Sequence, residues 1–306
     1  MTKKIEDILS NYHEKPSIIK NLFNILMHGK LGGTGKILIL PVDQGFEHGP
    51  DRSFAKNPIG YDPTYHIEFA IEAGFSAYAA PIGMLSSVHP NILAQIPIIL
   101  KVNSNNSLAS KNDEPEQIIT SSVQDAVDLG CAGIGITIYP GSFNAKSMFE
   151  DAQIMIRKAK DAGLITVIWS YPRGGDLSKN GENAIDVCAY AAHIAALLGA
   201  HIIKVKPPTE HIEFNENKTI LAGQKNKLEN LSSRVSHVVK SCFAGKRLVV
   251  FSGGASKDEN ELLKEIEDIK NGGASGSIVG RNIFQRSKQD ALILVNKICE
   301  IYASKK

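Results

Sequence analysis

Apolar residues fall in eight short runs along the chain, at positions 37–42, 75–80, 96–102, 133–139, 164–169, 201–206, 247–251 and 276–280. Most are apolar at consecutive positions instead of alternating with polar ones, and most have Gly, Pro or Asn close by. That pattern predicts parallel strands buried on both faces. Longer stretches with helical spacing lie between them, at 63–73, 116–129, 145–162, 183–198, 225–241, 256–270 and 286–302. The segment 83–94, with Pro90 inside it, reads as a weaker, short helix. Helical stretches repeatedly stop at glycine before the next run: Gly74, Gly130, Gly163, Gly199, Gly245 and Gly272 with Gly273. Glycine is favoured just past a helix C-terminus.

About eight strand–helix alternations predict an α/β fold, a single (β/α)8 TIM barrel spanning residues 1–306. Residues 1–35 form an N-terminal helical extension, amphipathic over 17–27 and ending at Gly29 and the pair Gly32 and Gly33. The competing layout is an open doubly wound sheet, which usually carries G-x-G-x-x-G after its first strand. Here that strand runs into Val42, Asp43, Gln44 and Gly45. The segment Gly32-Gly33-Thr34-Gly35-Lys36 precedes a strand and lacks the spacing of a phosphate loop. Two long loops, about 103–115 and 207–224, are candidates for lids or subunit contacts.

A length of 306 residues suits one large barrel. A 43% hydrophobic and 22% charged composition with net charge +2 gives no reason to expect a nucleic-acid or membrane partner. No apolar run approaches the ~20 residues of a membrane span. The start, Met1 to Asp7, is acidic after its lysines and lacks the apolar core of a signal peptide, so a cytoplasmic protein is expected. Cys131, Cys188, Cys242 and Cys299 are far apart and read as reduced core residues. The nine histidines show no metal-ligand spacing, and neither a metal nor a cofactor is expected.

Barrel chemistry gathers at the C-terminal ends of the strands. The sixth run ends Lys204-Val205-Lys206, which places both lysines on one face and Ile203 and Val205 on the other. Burial and mutual repulsion would lower a lysine's pKa and free a nucleophilic amine. Lys206, nearer the strand end, reads as the nucleophile, and Lys204, deeper, as its pKa depressor or hydrogen-bond partner. A surface edge strand with two solvated lysines is the plain alternative. The fifth run ends with Trp169 and Tyr171 on one face and Arg173 just beyond. A phenol near lysines can move protons, and an arginine fork suits phosphate; taken alone, the segment fits an aromatic core pair with a surface arginine better. Asp43 at the first strand end reads as an orienting carboxylate or a turn cap, and His48 as a loop histidine. Ser252, Gly253 and Gly254 after the seventh run, with Gly280 and Arg281 after the eighth, have the make-up of a phosphate cradle.

Taken in order, Leu40 to Pro50, Trp169 to Gly174, Lys204 to Lys206, Ser252 to Gly254 and Gly280 to Gln285 resemble the archaeal-type class I fructose-bisphosphate aldolases of bacteria and archaea, over about residues 37–290. The resemblance implies reversible cleavage of fructose 1,6-bisphosphate to dihydroxyacetone phosphate and glyceraldehyde 3-phosphate, in glycolysis or gluconeogenesis. Lys206 would form the Schiff base and Tyr171 would act as acid and base. Trp169 would shape the pocket, with Asp43 and Lys204 assisting. Ser252, Gly253, Gly254, Gly280 and Arg281 would hold the ketone-side phosphate, and Arg173 the other end, with His48 as a further binding candidate. Ring-shaped homo-oligomers, often decamers, are also implied. The loop at 207–228 is long for the compact members. The rival readings are another lysine-dependent aldolase, a transaldolase-like synthase or phospho-sugar thiolase of the same superfamily, and a non-catalytic barrel that binds sugar phosphates.

Overall fold

The computed structural model describes residues 2–108, 113–223, 228–252 and 258–304. Eight parallel strands close into a barrel: β1 (Ile37–Pro41), β2 (Ala77–Pro81), β3 (Ile98–Lys101), β4 (Gly133–Ile138), β5 (Ile165–Ser170), β6 (Ile202–Val205), β7 (Leu248–Ser252) and β8 (Gly276–Ile278). Each strand pairs with its sequence neighbours, and β8 returns to β1 with Gly276 opposite Ile37. That seam requires glycine. Gly276 has φ +148°, and a Cβ there would lie 1.8 Å from the Ile37 carbonyl oxygen.

Strand alternation divides the apolar residues into two layers. Leu38, Leu40, Ile136, Ile203 and Val205 point outward and pack with Ile67, Ala192, Ile266 and Leu294 from the surrounding helices. Ile39, Ala77, Ile99, Val167, Ile202 and Val250 point inward and fill the lumen. The floor of that lumen comes from two N-terminal helices, α1 (Lys3–Leu9) and α2 (Pro16–Met27). Ile5, Ile18, Leu22, Ile25 and Leu26 are fully buried against the inward-facing strand residues. Each such side chain contributes about 1.5–3 kcal/mol. Tyr12, between the helices, donates its hydroxyl proton to the His201 carbonyl (2.7 Å) and accepts from the Leu248 amide (2.9 Å), tying the floor to the start of β6 and β7.

The helix expected over 116–129 is shorter. Ser122 and Asp125 form a capping box that starts it at Val123, and Ile118–Ile119 instead pairs antiparallel with Asn103–Ser104. The stretch expected over 225–241 starts at Leu231, where the Asn230 side chain accepts from the Ser233 amide; residues 224–227 lie outside the described ones. The segment 83–94 is two single turns, Ile82–Leu85 and Pro90–Leu93. The loop after β6 contains a helix, Asn215–Ala222. The Asp186 carboxylate anchors it by accepting from the amides of Glu213 and Phe214 and from the Asn217 side chain. Among the described residues no helix is long and apolar enough to cross a membrane.

Candidate active site

The lumen is apolar for most of its height and turns polar at the C-terminal ends of the strands. There Asp43, Lys101, Thr137, Trp169, Tyr171, Lys204, Ser252 and Gly280 surround one cavity. Inward-facing parity carries each of them. Lys204 follows Ile202, Lys101 follows Ile99, and Trp169 follows Val167.

Lys204 lies on β6, is 4% exposed, and sets its Nζ 5.3 Å from the Trp169 ring centre and 5.7 Å from that of Tyr171. Burial, above all, lowers its pKa from the ordinary lysine value to about 8. Asp43 and Glu47 oppose that shift, while the charges of Lys101 and Arg281 add to it. Lys206 differs. The strand ends at Val205, before the pair Pro207 and Pro208, and Lys206 Nζ reaches Glu182 Oε2 at 3.5 Å. Its pKa is also lowered, by burial and then by Arg173, but Glu182 holds the charged form. Lys206 therefore lines the cavity from an ion pair, while Lys204 occupies its aromatic centre.

Room for the Trp169 indole is made by Gly135 on the neighbouring β4. A Cβ at that position would lie 2.2 Å from Cζ3 and 2.4 Å from Cη2 of the ring. Among the described residues the indole Nε1 is buried without a hydrogen-bond partner, as are Gln44 Oε1, His48 Nδ1 and Gln117 Oε1 of the same cavity. Buried polar atoms are seldom left unpaired, so their gathering here marks a cavity shaped for a polar ligand.

Tyr171 follows directly on β5. Burial raises its pKa well above the usual phenol range, so the phenol rests protonated, and the Arg173 guanidinium opposes the shift. Arg173 stacks between two rings, 5.2 Å from Tyr139 and 5.7 Å from Tyr171, and donates to Glu47 Oε1 at 3.2 Å. Glu47 stands on a short helix, Gln44–His48, that begins right after Asp43. The Asp43 side chain makes no capping bond to that helix, which removes the turn-cap role and leaves its carboxylate for the cavity. His48 also lines the cavity, and burial lowers its pKa, favouring the neutral ring.

Ser252 and Gly280 close the wall between β7 and β8, with Arg281 next to them. Gly253 and Gly254 lie outside the described residues. The cavity thus gathers Asp43, His48, Trp169, Tyr171, Arg173, Lys204, Lys206, Ser252, Gly280 and Arg281, all expected from the sequence. It adds Lys101 and Glu47, which were not, and Glu182, also not expected, pairs with the cavity's Lys206. The signal for Lys101 was in the parity of Ile99 and Lys101 on one face of β3; Glu47 and Glu182 sit in loops and short helices with no period to read. No group of three His, Cys, Asp or Glu side chains converges as metal ligands among the described residues.

Residues 37–286 match the DeoC/LacD family aldolase. The chain belongs to that family. Among its relatives, a class 1 fructose-bisphosphate aldolase of Thermoproteus tenax is 37% identical over 274 residues, covering 89% of this chain and 92% of that one. A probable class 1 fructose-bisphosphate aldolase of Chlamydia muridarum is 35% identical over 298 residues, covering 93% and 84%. A solved archaeal fructose-1,6-bisphosphate aldolase, with its catalytic lysine covalently bound to the carbinolamine intermediate of the substrate, superposes with TM-score 0.76 at 33% identity, covering 93% of this chain and 99% of that one. The closed eight-stranded barrel of this chain is thus the fold on which that aldolase superposes.

Proposed function

We propose that this chain is a class I, Schiff-base fructose 1,6-bisphosphate aldolase, and that its nucleophile is Lys204, not Lys206. One observation carries the choice of lysine: Lys204 is buried over two aromatic rings, whereas Lys206 is ion-paired with Glu182. A pKa of about 8 leaves roughly a quarter of Lys204 neutral at pH 7.5, against about one in a thousand for a free lysine. The sequence order that favoured Lys206 rested on its place nearer the strand end, and the strand stops one residue short of it.

In the proposed reaction the Lys204 amine adds to the C2 ketone to give a carbinolamine. Tyr171, resting as the protonated phenol, donates its proton to the C2 hydroxyl, which leaves as water and forms the iminium. The tyrosinate, stabilised by the neighbouring Arg173 guanidinium, then takes the C4 hydroxyl proton. The C3–C4 bond breaks, its electron pair passes into the iminium, and glyceraldehyde 3-phosphate leaves. Tyr171 returns the proton to C3 of the enamine, and water hydrolyses the iminium to dihydroxyacetone phosphate and free amine. Asp43 faces the lysine and orients the substrate hydroxyls. Ser252, Gly280 and Arg281 receive the ketone-side phosphate, and Arg173 with His48 the other.

Borohydride reduction in the presence of fructose 1,6-bisphosphate, followed by fragment-level mass mapping, tests the assignment. The adduct is expected on Lys204, and an adduct on Lys206 overturns it. Turnover measured on fructose 1-phosphate beside the bisphosphate tests the two-phosphate reading. A cytoplasmic homo-oligomer belongs to the same reading. Tyr190, Leu197 and Ile220, each more than 60% exposed, support self-association, which sedimentation measures directly.

A further inference from the structure

We infer that Lys101 is a positioning residue that acts through Lys204: fixed by Asn103, its ammonium faces the Schiff-base lysine across the Trp169 indole and biases that lysine toward its nucleophilic amine. The inference rests on Lys204 being the nucleophile. Lys101 ends β3, is 3% exposed, and points into the lumen, its Nζ 5.9 Å from the Trp169 ring centre. The same indole lies 5.3 Å from Lys204 Nζ. Two ammonium groups over one ring in a dry lumen repel, and the one held by hydrogen-bond acceptors keeps its proton.

Asn103 settles which one that is. Its Nδ2 donates to the Thr137 carbonyl and its Oδ1 accepts from the Thr137 amide, both at 2.7 Å. These two bonds fix the amide orientation and stitch the segment after β3 to β4. Lys101 Nζ then donates to Asn103 Oδ1 at 2.8 Å and to the Asn103 carbonyl. Both partners are acceptors, so they favour the ammonium form of Lys101. Lys204 is set instead among two rings and four charges: Asp43 and Glu47 draw it toward its charged form, Lys101 and Arg281 away from it. Burial lowers Lys101 too, to about 8, with Asp43 and Glu47 opposing. Removing the Lys101 charge would leave the pull of Asp43 and Glu47 on Lys204 opposed by burial and by the Arg281 charge.

The test compares pH profiles of kcat/KM for fructose bisphosphate cleavage in wild type, Lys101→Gln, Lys101→Arg and Asn103→Ala. For Lys101→Gln the acid limb is expected to move up by about one pH unit, so that activity falls about tenfold at pH 7 and recovers at pH 9. Lys101→Arg keeps the limb in place. Asn103→Ala, which loosens the ammonium without removing it, moves the limb part of the way and serves where Lys101→Gln does not fold. An unmoved limb in Lys101→Gln, with activity lost equally at all pH values, overturns the inference. Borohydride mapping of the wild type separates the two layers of the argument. An adduct on any lysine other than Lys204, Lys101 included, defeats the underlying reading, whereas an adduct on Lys204 with an unmoved limb defeats only the role of Lys101.

Discussion

Replacing Gly135 by alanine perturbs the active centre from behind, without touching a polar group. The new methyl would stand 2.2 Å from Trp169 Cζ3, 2.4 Å from Cη2 and 3.2 Å from Ile99 Cγ2. Contacts under 3 Å cannot persist, and the indole is only 1% exposed, so the direction left to it is the cavity it lines. Overpacking of this kind costs about 1–3 kcal/mol. At about 1.5 °C per kcal/mol for a chain of 306 residues, Tm should drop by roughly 2–5 °C. The ring carries both Lys101 and Lys204 over it, so its displacement should also lower kcat beyond what the residual folded fraction explains. Trp169 is the chain's single tryptophan, so its fluorescence reports on the site alone. The expected result for Gly135→Ala is a shifted emission maximum, a lower Tm and a lower kcat together. In the double variant with Trp169→Phe, the smaller ring should recover most of the lost Tm, giving a coupling of at least about 1 kcal/mol. An alanine variant with wild-type emission, melting and turnover would refute the packing argument.

Three further outcomes are expected. Arg173→Lys keeps the charge but loses the stacking on Tyr139 and Tyr171, so KM for fructose 1,6-bisphosphate should rise about tenfold while KM for fructose 1-phosphate changes little, as steady-state kinetics on both substrates will show. Tyr12→Phe leaves the His201 carbonyl and the Leu248 amide unpaired in the barrel floor, costing about 1–3 kcal/mol in urea unfolding without altering the pH dependence of turnover. His66 is buried, donates Nε2–H to the Gly60 carbonyl at 2.7 Å, and is lowered from the ordinary 6.5 to about 4 by burial. The unfolded chain therefore binds a proton that the fold refuses: stability is full above about pH 6.5 and declines toward pH 4, by up to about 3 kcal/mol from this residue. His66→Gln, which can still donate to Gly60, should flatten that part of the stability profile, and an unchanged slope would remove His66 as its source.

Strand positions were legible because parallel barrel strands are buried on both faces and appear as unbroken apolar runs. The layer to which each residue belongs followed from parity, and Ile203, Lys204 and Val205 sit as alternation requires. Strand ends were not legible. Where a strand stops depends on which neighbour still offers a hydrogen-bond partner, and β6 stops at Val205, which turns Lys206 out to Glu182. The helix expected from residue 116 failed for a related reason. Amphipathic spacing said nothing of the ladder that claims Ile118 and Ile119. Lys101 was hidden in a run of isoleucine and leucine, where a single charge reads as an interruption of the pattern. Glu47 and Glu182 act through pairings between segments distant in sequence, to Arg173 and Lys206, and no local spacing encodes those.

The floor laid by α1 and α2 is part of the barrel's own hydrophobic unit. The match to the family model begins at Ile37, whereas that unit begins at Ile5. A chain starting at the family boundary would keep every residue assigned to chemistry and lose the lining beneath Ile37, Ile39 and Ile202, wetting the lumen from below. The low dielectric that frees the Lys204 amine is thus supplied in part by side chains that stand at the opposite end of the barrel and never meet a substrate.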